Sequence, residues 1–253
     1  MKKYEYQDLK NQITLYKKGN NFWSSTIYLK DDHLYKIYSK YFTPQNLTSI
    51  NVLSNTPNLS DCVIPDGIIT NENKFIGISV PYYKDYLNLE NYLNNFDISY
   101  EQRLKLARKI IIGLQSLHQN KIIHNDLHMD NIIVKNEDVK LIDLDDTLMP
   151  GISYNLDNFK ELQITDLFNC TIITLSIIYK LNFFPLAYQS RTKFLKLINN
   201  LFTNTNLTTY LTTLLYNQNP NSYPNIFLEE LKESSVNNQR KELIKKDKYY
   251  KYI

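Results

Sequence analysis

The chain has 253 residues, with 29 lysines and arginines and 26 aspartates and glutamates, so its formal net charge is +3. This small excess does not indicate nucleic acid as the main partner, and we expect none. The hydrophobic fraction of 43% can supply a packed core, which excludes a disordered chain. At roughly 100–200 residues per domain, the length fits one large domain or two closely joined lobes.

Cysteine usage and hydropathy indicate the compartment. Cys62 and Cys170 are far apart and lack metal or redox spacing, so we expect no disulfide framework and a cytoplasmic, reducing location. The N-terminal MKKYEYQDLKNQ is basic, but no apolar stretch of a signal peptide follows it. The longest apolar run, residues 170–179, is shorter than the roughly 20 residues that cross a bilayer. We therefore expect a soluble protein without a membrane span.

In chain order, the first predicted elements are two β-hairpins and a helix between them. Residues 26–38 are rich in β-branched and aromatic side chains and are interrupted by the turn-forming pair Asp31-Asp32. Residues 63–80 have the same character and predict the second hairpin. Residues 43–55, with a proline in the first turn, predict a short helix.

After residue 83 the pattern becomes helical. Ser99 and Gln102 have the spacing of a capping box, and the apolar positions that follow recur every three or four residues. A second helix is predicted from Thr165-Asp166 to Leu181, and its apolar character on all sides indicates a buried position. Residues 191–253 are helix-like, with interruptions at 217–225. A strand-rich front and a helix-rich back predict a two-lobed α+β protein.

The chemistry is concentrated in His124-Asn-Asp126-Leu-His-Met-Asp-Asn131 and in Ile142-Asp143-Leu-Asp145. Asp126, Asn131 and Asp143 are short oxygen-bearing side chains beside apolar, strand-like runs. At strand ends they could hold a hard cation such as Mg²⁺ and leave positions for phosphate and water. One carboxylate would remain to accept a proton from a nucleophilic hydroxyl.

These segments resemble the protein-kinase-like superfamily. The first is similar to its catalytic loop, H-x-D-x-x-x-x-N, and Asp143 lies where that family has the aspartate of D-F-G. Upstream, Leu34-Tyr-Lys36 resembles the strand with the phosphate-anchoring lysine, and residues 20–28 fit the loop that covers the phosphates. Downstream, Thr165-Asp166 resembles the start of the buried central helix. The resemblance spans residues 19–181 and implies a protein-kinase-like fold.

The resemblance implies a role for each matching residue in transferring the γ-phosphoryl group of ATP. Lys36 would hold the α- and β-phosphates, and Asp126 would orient the acceptor hydroxyl, with His124 bracing the loop. Asp143 would bind the principal Mg²⁺ and Asn131 the second one.

The resemblance also implies where ATP lies. Ser24, Ser25 and Ile27 would cover the phosphates, while Pro81, Tyr82 and Tyr83 would receive the adenine through backbone groups. The implied lobes are residues 1–83 and 84–253.

Three departures from the family pattern modify these expectations. Ser24 and Ser25 lie where glycines are usual, so nucleotide affinity is expected to be modest. No glutamate lies between Lys36 and Asn71, so the usual Lys–Glu ion pair lacks a partner, and Gln45, Asn51 or Asn55 would offer only a neutral hydrogen bond. Asn125 replaces the arginine that binds an activation-loop phosphate, so we expect no such switch.

The acceptor is left open. Asp143 and Asp166 are close in sequence and no A-P-E lies between them, although that segment usually docks peptides. His128 replaces the lysine of protein kinases, and D-L-H-x-x-N resembles aminoglycoside and choline kinases. A Ser/Thr hydroxyl of a protein is our first expectation and a small-molecule hydroxyl the second. A pseudokinase that binds nucleotide or a partner is the third.

Other interpretations of the same residues remain open. His124, Asp126 and His128 could form a zinc or iron cluster. Asp145 and Asp146 could contribute to metal binding or form a solvated turn. Asp166 is expected to cap its helix and tie it to the catalytic loop. The basic tail, residues 240–251, could contact nucleic acid or membrane, but an exposed helix is the expectation.

Overall fold

The computed structural model describes residues 1–17, 25–39, 44–201, 205–216 and 222–246. The elements of the first lobe, in chain order, are β1 (Lys2–Glu5), α1 (Tyr6–Leu9), β2 (Thr14–Lys17), β3 (Thr26–Lys30), β4 (His33–Ile37), α2 (Pro44–Asn55), β5 (Gly67–Asn71) and β6 (Lys74–Pro81). The six strands form one sheet in the order β1-β5-β6-β4-β3-β2.

Both predicted hairpins are present in this sheet. Strands β3 and β4 pair antiparallel around Asp31, which has a positive φ of 51°, and β5 pairs antiparallel with β6. Strand β5 begins at Gly67 rather than at residue 63, because Pro65 lacks the N–H that a strand ladder requires. Strand β1 was not predicted; it pairs parallel with β5.

The register of the sheet determines which side chains face the second lobe. Lys36 is opposite Ile27 on β3 and opposite Ile78 on β6. Directly paired residues have their side chains on the same face of a sheet, so these three form a row. Tyr35 is on the other face, where it packs in a small core with Leu9 and Ile69. Lys36 is therefore directed away from this core.

The second part of the chain is mainly helical. Its elements are β7 (Leu87–Asn88), α3 (Leu89–Asn95), α4 (Tyr100–Gln119), β8 (Ile132–Lys135), β9 (Asp138–Leu141), α5 (Phe159–Tyr179), α6 (Phe184–Gln189), α7 (Arg191–Leu201), α8 (Thr205–Leu215), α9 (Asn225–Leu228) and α10 (Glu233–Lys246). Strands β7, β8 and β9 form a three-stranded sheet. The catalytic-loop sequence lies between α4 and β8.

Helix α4 begins as its sequence predicts. The backbone N–H of Gln102 donates to Ser99 Oγ at 3.2 Å, and the Gln102 side chain accepts from the Ser99 N–H at 2.9 Å. These reciprocal bonds satisfy two backbone donors at the helix start. The residues from Leu104 to Leu117 that recur at helical spacing are buried against the main core.

Helix α5 is the central buried helix, but it begins at Phe159, earlier than the predicted Thr165. Residues 159–164 include charged and amide side chains, so the apolar signal starts after the helix does. The segment Leu156–Tyr179 is long and apolar enough to cross a membrane, yet 83% of its most apolar window is buried inside the protein. Cys170 lies in this core and, like Cys62, is a buried free thiol.

The strand-rich sheet and the helical region confirm the two-lobed α+β protein-kinase-like fold. Strands β1 to β6 all precede residue 82, and the division into lobes at residues 83 and 84 stays a prediction. Helix α10 contains the first part of the predicted basic tail, and residues 247–253 lie outside the described part of the chain.

Candidate active site

Lys36 lies between two carboxylates of the second lobe. Its Nζ is 2.5 Å from Asp143 Oδ1, 2.9 Å from Asp145 Oδ1 and 2.8 Å from Asp145 Oδ2. Burial alone would lower the pKa of this amine, but the charges of Asp145 and Asp143 raise the pKa above its ordinary value. Lys36 is therefore a cation at physiological pH, with 16% of its side chain exposed.

Asp145 is the second carboxylate in contact with Lys36. Its side chain is 4% exposed, and Oδ2 also accepts from Tyr38 Oη at 2.6 Å. Burial would raise the pKa of this carboxyl, but Lys36 lowers the pKa below its usual value. A buried carboxylate with both oxygens bonded is not a solvated turn residue, so that interpretation is wrong.

The expected neutral partners of Lys36 do not occupy this position. Asn51 and Asn55 are exposed, and the Asn55 amide donates to the Asn51 carbonyl at 2.8 Å. The side chain of Gln45 lies outside the part that the structure describes. The ion pair of Lys36 therefore comes from the segment after β9 and not from α2. The sequence carries the signal, an acidic residue two positions after Asp143, and the expectation of a partner on α2 is wrong for Asn51 and Asn55.

Asp143 has a left-handed backbone conformation, with φ 64° and ψ 45°. This region is uncommon for residues other than glycine, although Asp and Asn enter it more readily than most. The Asp143 side chain remains 43% exposed. Its pKa is raised because burial and the neighbouring Asp145 oppose the negative charge more than Lys36 favours it.

Asp126 and Asn131 are joined within the catalytic loop. Asn131 Nδ2 donates to the Asp126 carbonyl at 2.8 Å and to Asp126 Oδ2 at 3.3 Å. Because Nδ2 is used in this way, Oδ1 is the atom of the Asn131 amide that can bind a cation. The Asn131 carbonyl accepts from the Ile142 N–H at 2.9 Å, which brings the loop beside Asp143. Three of the predicted site residues are thus close together.

His128 is adjacent to Asp126. Its Nε2 is 3.5 Å from Asp126 Oδ2, and its Nδ1 accepts from the Asp130 N–H at 3.2 Å. The hydrogen bond from His128 lowers the pKa of Asp126 despite partial burial, and the bond to Asp126 raises the pKa of His128. Asp126 is therefore ionised at physiological pH, as an acceptor of a hydroxyl proton must be.

The base of the loop is fixed by Asp166, which lies inside α5. Its carboxylate accepts from the His124 N–H at 2.7 Å, from the Asn125 N–H at 3.0 Å and from His118 Nε2 at 3.0 Å. The expectation that Asp166 caps its helix is wrong, because α5 begins before it. The expected tie to the loop is present. Asn125 has a φ of 70°, which asparagine tolerates better than most residues.

His124 was predicted to be catalytic by bracing the loop. Its side chain is fully buried, and neither ring nitrogen has a hydrogen-bond partner among the described residues. Burial lowers the pKa of the imidazole, so the ring is neutral. A side chain in this position cannot touch a substrate. Among the residues that the structure describes, no three His, Cys, Asp or Glu side chains are arranged to hold a metal, so the zinc cluster has no support.

The predicted phosphate-covering residues are partly described. Ser24 lies outside the described residues, and Ser25 precedes β3 with a half-buried side chain. Ile27 is opposite Lys36, so it lies on the face where phosphates bound to Lys36 would be. The next paired row on this face consists of Leu29, Leu34 and Val80. The face around Lys36 is therefore apolar, which suits a flat ring.

The three predicted adenine-binding residues follow β6. Pro81 has no N–H, and the N–H of Tyr82 donates to the Asp32 carbonyl at 2.8 Å. The structure therefore does not leave Tyr82 free to donate to a base. Within the described residues, Tyr83 is the one of the three whose N–H is not already bonded.

The donor set fits Mg²⁺. The cation usually binds to one or two carboxylates together with phosphate oxygens and water, and does not need a complete protein cage. Asp143 could supply a carboxylate oxygen and Asn131 an amide oxygen. The pKa of Asp146, like that of Asp143, is raised by burial and by the nearby carboxylates, and a divalent cation would relieve this repulsion.

Comparison with known proteins gives one family. A model of the protein kinase domain matches residues 54–149, which include the catalytic loop and Asp143. Over these residues the chain is similar to the protein kinase domain. The matched residues do not include Lys36, but the fold brings Lys36 into contact with Asp143, which lies inside the match.

The relatives are kinases by name, two of them probable serine/threonine-protein kinases, and the similarity to each is local. A probable serine/threonine-protein kinase of Encephalitozoon cuniculi is 39% identical over 22% of this chain and 11% of its own length. Another, of Dictyostelium discoideum, is 43% identical over 21% of this chain and 4% of its own length. Eukaryotic translation initiation factor 2-alpha kinase 2 of Plasmodium berghei is 36% identical over 24% of this chain and 2% of its own length. The chain thus covers a small part of each kinase.

Proposed function

We propose that the chain is an ATP- and Mg²⁺-dependent phosphotransferase that transfers the γ-phosphoryl group to a hydroxyl. The observation that supports it best is the juxtaposition of a cationic Lys36, the exposed carboxylate of Asp143 and the ionised Asp126 beside Asn131. The missing glutamate favours the pseudokinase alternative, whereas the contact of Asp145 with Lys36 provides a carboxylate at the lysine and favours an enzyme.

In this proposal the residues of the chain position groups and move one proton. Lys36 binds the α- and β-phosphates through its ammonium group. The carboxylate of Asp126 accepts the proton of the acceptor hydroxyl, whose oxygen forms the new bond to phosphorus while the bond between the γ-phosphorus and the ADP oxygen breaks. Mg²⁺ held by Asp143 and Asn131 would neutralise charge on the phosphate oxygens.

The acceptor we propose first is a Ser or Thr hydroxyl of a protein, since two of the relatives are named probable serine/threonine-protein kinases. A small-molecule hydroxyl is the second candidate. It is favoured by His128 beside Asp126, and by a short segment between Asp146 and α5 that closes on itself through a bridge between Pro150 and Tyr154. A cytoplasmic location remains part of the proposal, supported by the two unpaired cysteines.

The experiment is phosphoryl transfer from γ-labelled ATP with Mg²⁺, comparing wild type with Asp126→Asn. The acceptors are the protein alone, generic protein substrates and a small-molecule extract. We expect transfer by Asp126→Asn to fall at least about 10²-fold, because the variant cannot accept the hydroxyl proton. Nucleotide binding, followed by thermal shift, should be largely retained.

The matched control is Asp157→Asn, which changes an exposed aspartate outside the site and should leave transfer unchanged. Label on protein supports the Ser/Thr acceptor, whereas label on a small molecule supports the second candidate. If binding and transfer fell together in Asp126→Asn, Asp126 would be structural. Nucleotide binding by the wild type without transfer to any acceptor would favour a pseudokinase.

A further inference from the structure

Both oxygens of the Asp145 carboxylate are bonded inside the protein. One oxygen accepts from Lys36 at 2.9 Å, and the other accepts from Tyr38 Oη at 2.6 Å and lies 2.8 Å from Lys36 Nζ. Removing a carboxylate from water is strongly unfavourable unless it is paired and hydrogen-bonded. These contacts provide that pairing. Because Asp145 is buried and both its oxygens are bonded to Lys36 or Tyr38, it is less accessible to a metal than an exposed carboxylate.

Asp143 is more accessible to a metal ion than Asp145. Its side chain is 43% exposed, compared with 4% for Asp145, and its contact with Lys36 uses one oxygen. When Asp143 turns to a cation, Lys36 would lose one of its two acidic partners. Asp145 would remain to hold the ammonium group.

We propose that Asp145 is the positioning residue for Lys36, taking the place of a carboxylate on α2, and that Tyr38 fixes the orientation of Asp145. Only the role of Lys36 in binding phosphate rests on the proposed function. Among the described side chains of α2, none forms a hydrogen bond or ion pair with Lys36. Among the described residues, the ion pair of Lys36 is therefore formed by the segment after β9 and not by the side chains of α2.

The first measurement is the acylation rate of the Lys36 amine by an amine-selective reagent, followed by mass spectrometry from pH 7 to 10.5. Only the uncharged amine reacts, so loss of an acidic neighbour increases the reactive fraction about tenfold for each unit by which the pKa falls. We expect Asp145→Asn, which keeps the shape, to react faster and to approach its plateau at lower pH than wild type. A merely looser site would raise the plateau rate itself and leave the pH at which the plateau is reached unchanged.

The second measurement separates Asp145 from the proposed metal ligand. Loss of a charge-assisted hydrogen bond should lower the kcat for phosphoryl transfer by roughly 10- to 100-fold in Asp145→Asn. The Mg²⁺ concentration for half-maximal transfer should be unchanged in this variant and raised in Asp143→Asn. If Asp145→Asn raised this Mg²⁺ concentration as Asp143→Asn does, Asp145 would be a metal ligand and the inference would be overturned.

Three further variants test the charge and its support. Asp145→Glu restores the carboxylate and should return Lys36 reactivity part of the way to wild type. Tyr38→Phe removes one hydrogen bond from Asp145. It should raise the reactivity of Lys36, as Asp145→Asn does, but by a smaller factor. Asp97→Asn removes the carboxylate 2.6 Å from Lys180, far from this site in the sequence and outside the proposed machinery, and should leave Lys36 reactivity and transfer unchanged.

The acylation profile decides the inference even if wild type transfers no phosphate, because it does not require turnover. A profile for Asp145→Asn that coincides with wild type would overturn it. A shifted profile without any transfer would support the pairing and contradict the proposed function alone. Equal disturbance by Asp145→Glu and Asp145→Asn would show that shape and not charge matters, and would also overturn it.

Discussion

Asp126 and His128 interact across two residues of the catalytic loop, and the interaction changes the protonation of both. His128 Nε2 approaches Asp126 Oδ2 at 3.5 Å, with 37% of the His128 side chain and 62% of the Asp126 side chain exposed. Solvent screens a pair this exposed, so its contribution to stability is small. The effect of the pair on the site is to keep the Asp126 carboxylate ionised and oriented.

The pH dependence of this pair follows from the direction in which the pKa of His128 is shifted. The pKa of His128 is raised from 6.5, mainly by the hydrogen bond to Asp126. Its stabilising effect is therefore present below pH 6.5 and is lost as the pH rises through the higher pKa of the folded state. We expect an NMR titration of the His128 ring to have its midpoint above 6.5, and Asp126→Asn to lower that midpoint.

The control for this titration is Asp138→Asn, which removes a carboxylate from the neighbouring hairpin and should leave the His128 midpoint where it is. An equal midpoint in wild type and Asp126→Asn would mean that the two side chains do not interact in solution.

At the level of elements, β6 determines where β4 places Lys36. Gly77 is opposite Ile37, and a Cβ at this position would lie 2.2 Å from the carbonyl oxygen of Lys36. The obstacle is backbone, which cannot rotate away as a side chain can. The absence of a side chain at residue 77 therefore permits the close approach of the two strands.

Gly77→Ala should separate β4 from β6 and displace Lys36. Overpacking of this kind destabilises proteins by about 1–3 kcal/mol, and we expect a loss of that size in urea unfolding together with reduced nucleotide binding. Gly113→Ala is the control, since its Cβ would meet the Leu141 side chain at 3.3 Å and a helix favours alanine. Similar losses in the two variants would contradict the role assigned to Gly77.

The elements also show which features a sequence can predict. The Ser99 capping box and the Asp31-Asp32 turn involve neighbouring residues, so local chemistry predicts them. The parallel pairing of β1 and the ion pair between Lys36 and Asp145 join residues far apart in sequence, and no local pattern encodes such contacts. The start of α5 at Phe159 was missed because its first turns carry polar residues and only the later turns are apolar throughout.

For the whole molecule, Asp166 connects three parts of the second lobe. It projects from α5 to the backbone of the catalytic loop and to His118 on α4. On its other side, His118 Nδ1 is 3.0 Å from Tyr223 Oη and 3.0 Å from Gln163 Nε2. The tie therefore links the central helix, α4, the loop and the segment before α9.

Asp166→Ala should consequently weaken the fold and the site together. The carboxylate is fully buried, and its removal leaves the N–H groups of His124 and Asn125 without their acceptor, at a cost of about 1–3 kcal/mol for each buried group. We expect urea unfolding, followed by circular dichroism, to show a loss of about 2–5 kcal/mol. Phosphoryl transfer should decrease even where the variant is folded, because the loop that carries Asp126 is no longer fixed. Asp157→Ala, an exposed aspartate just before α5, should change neither property. A fully active and equally stable Asp166→Ala would mean that packing alone fixes the loop.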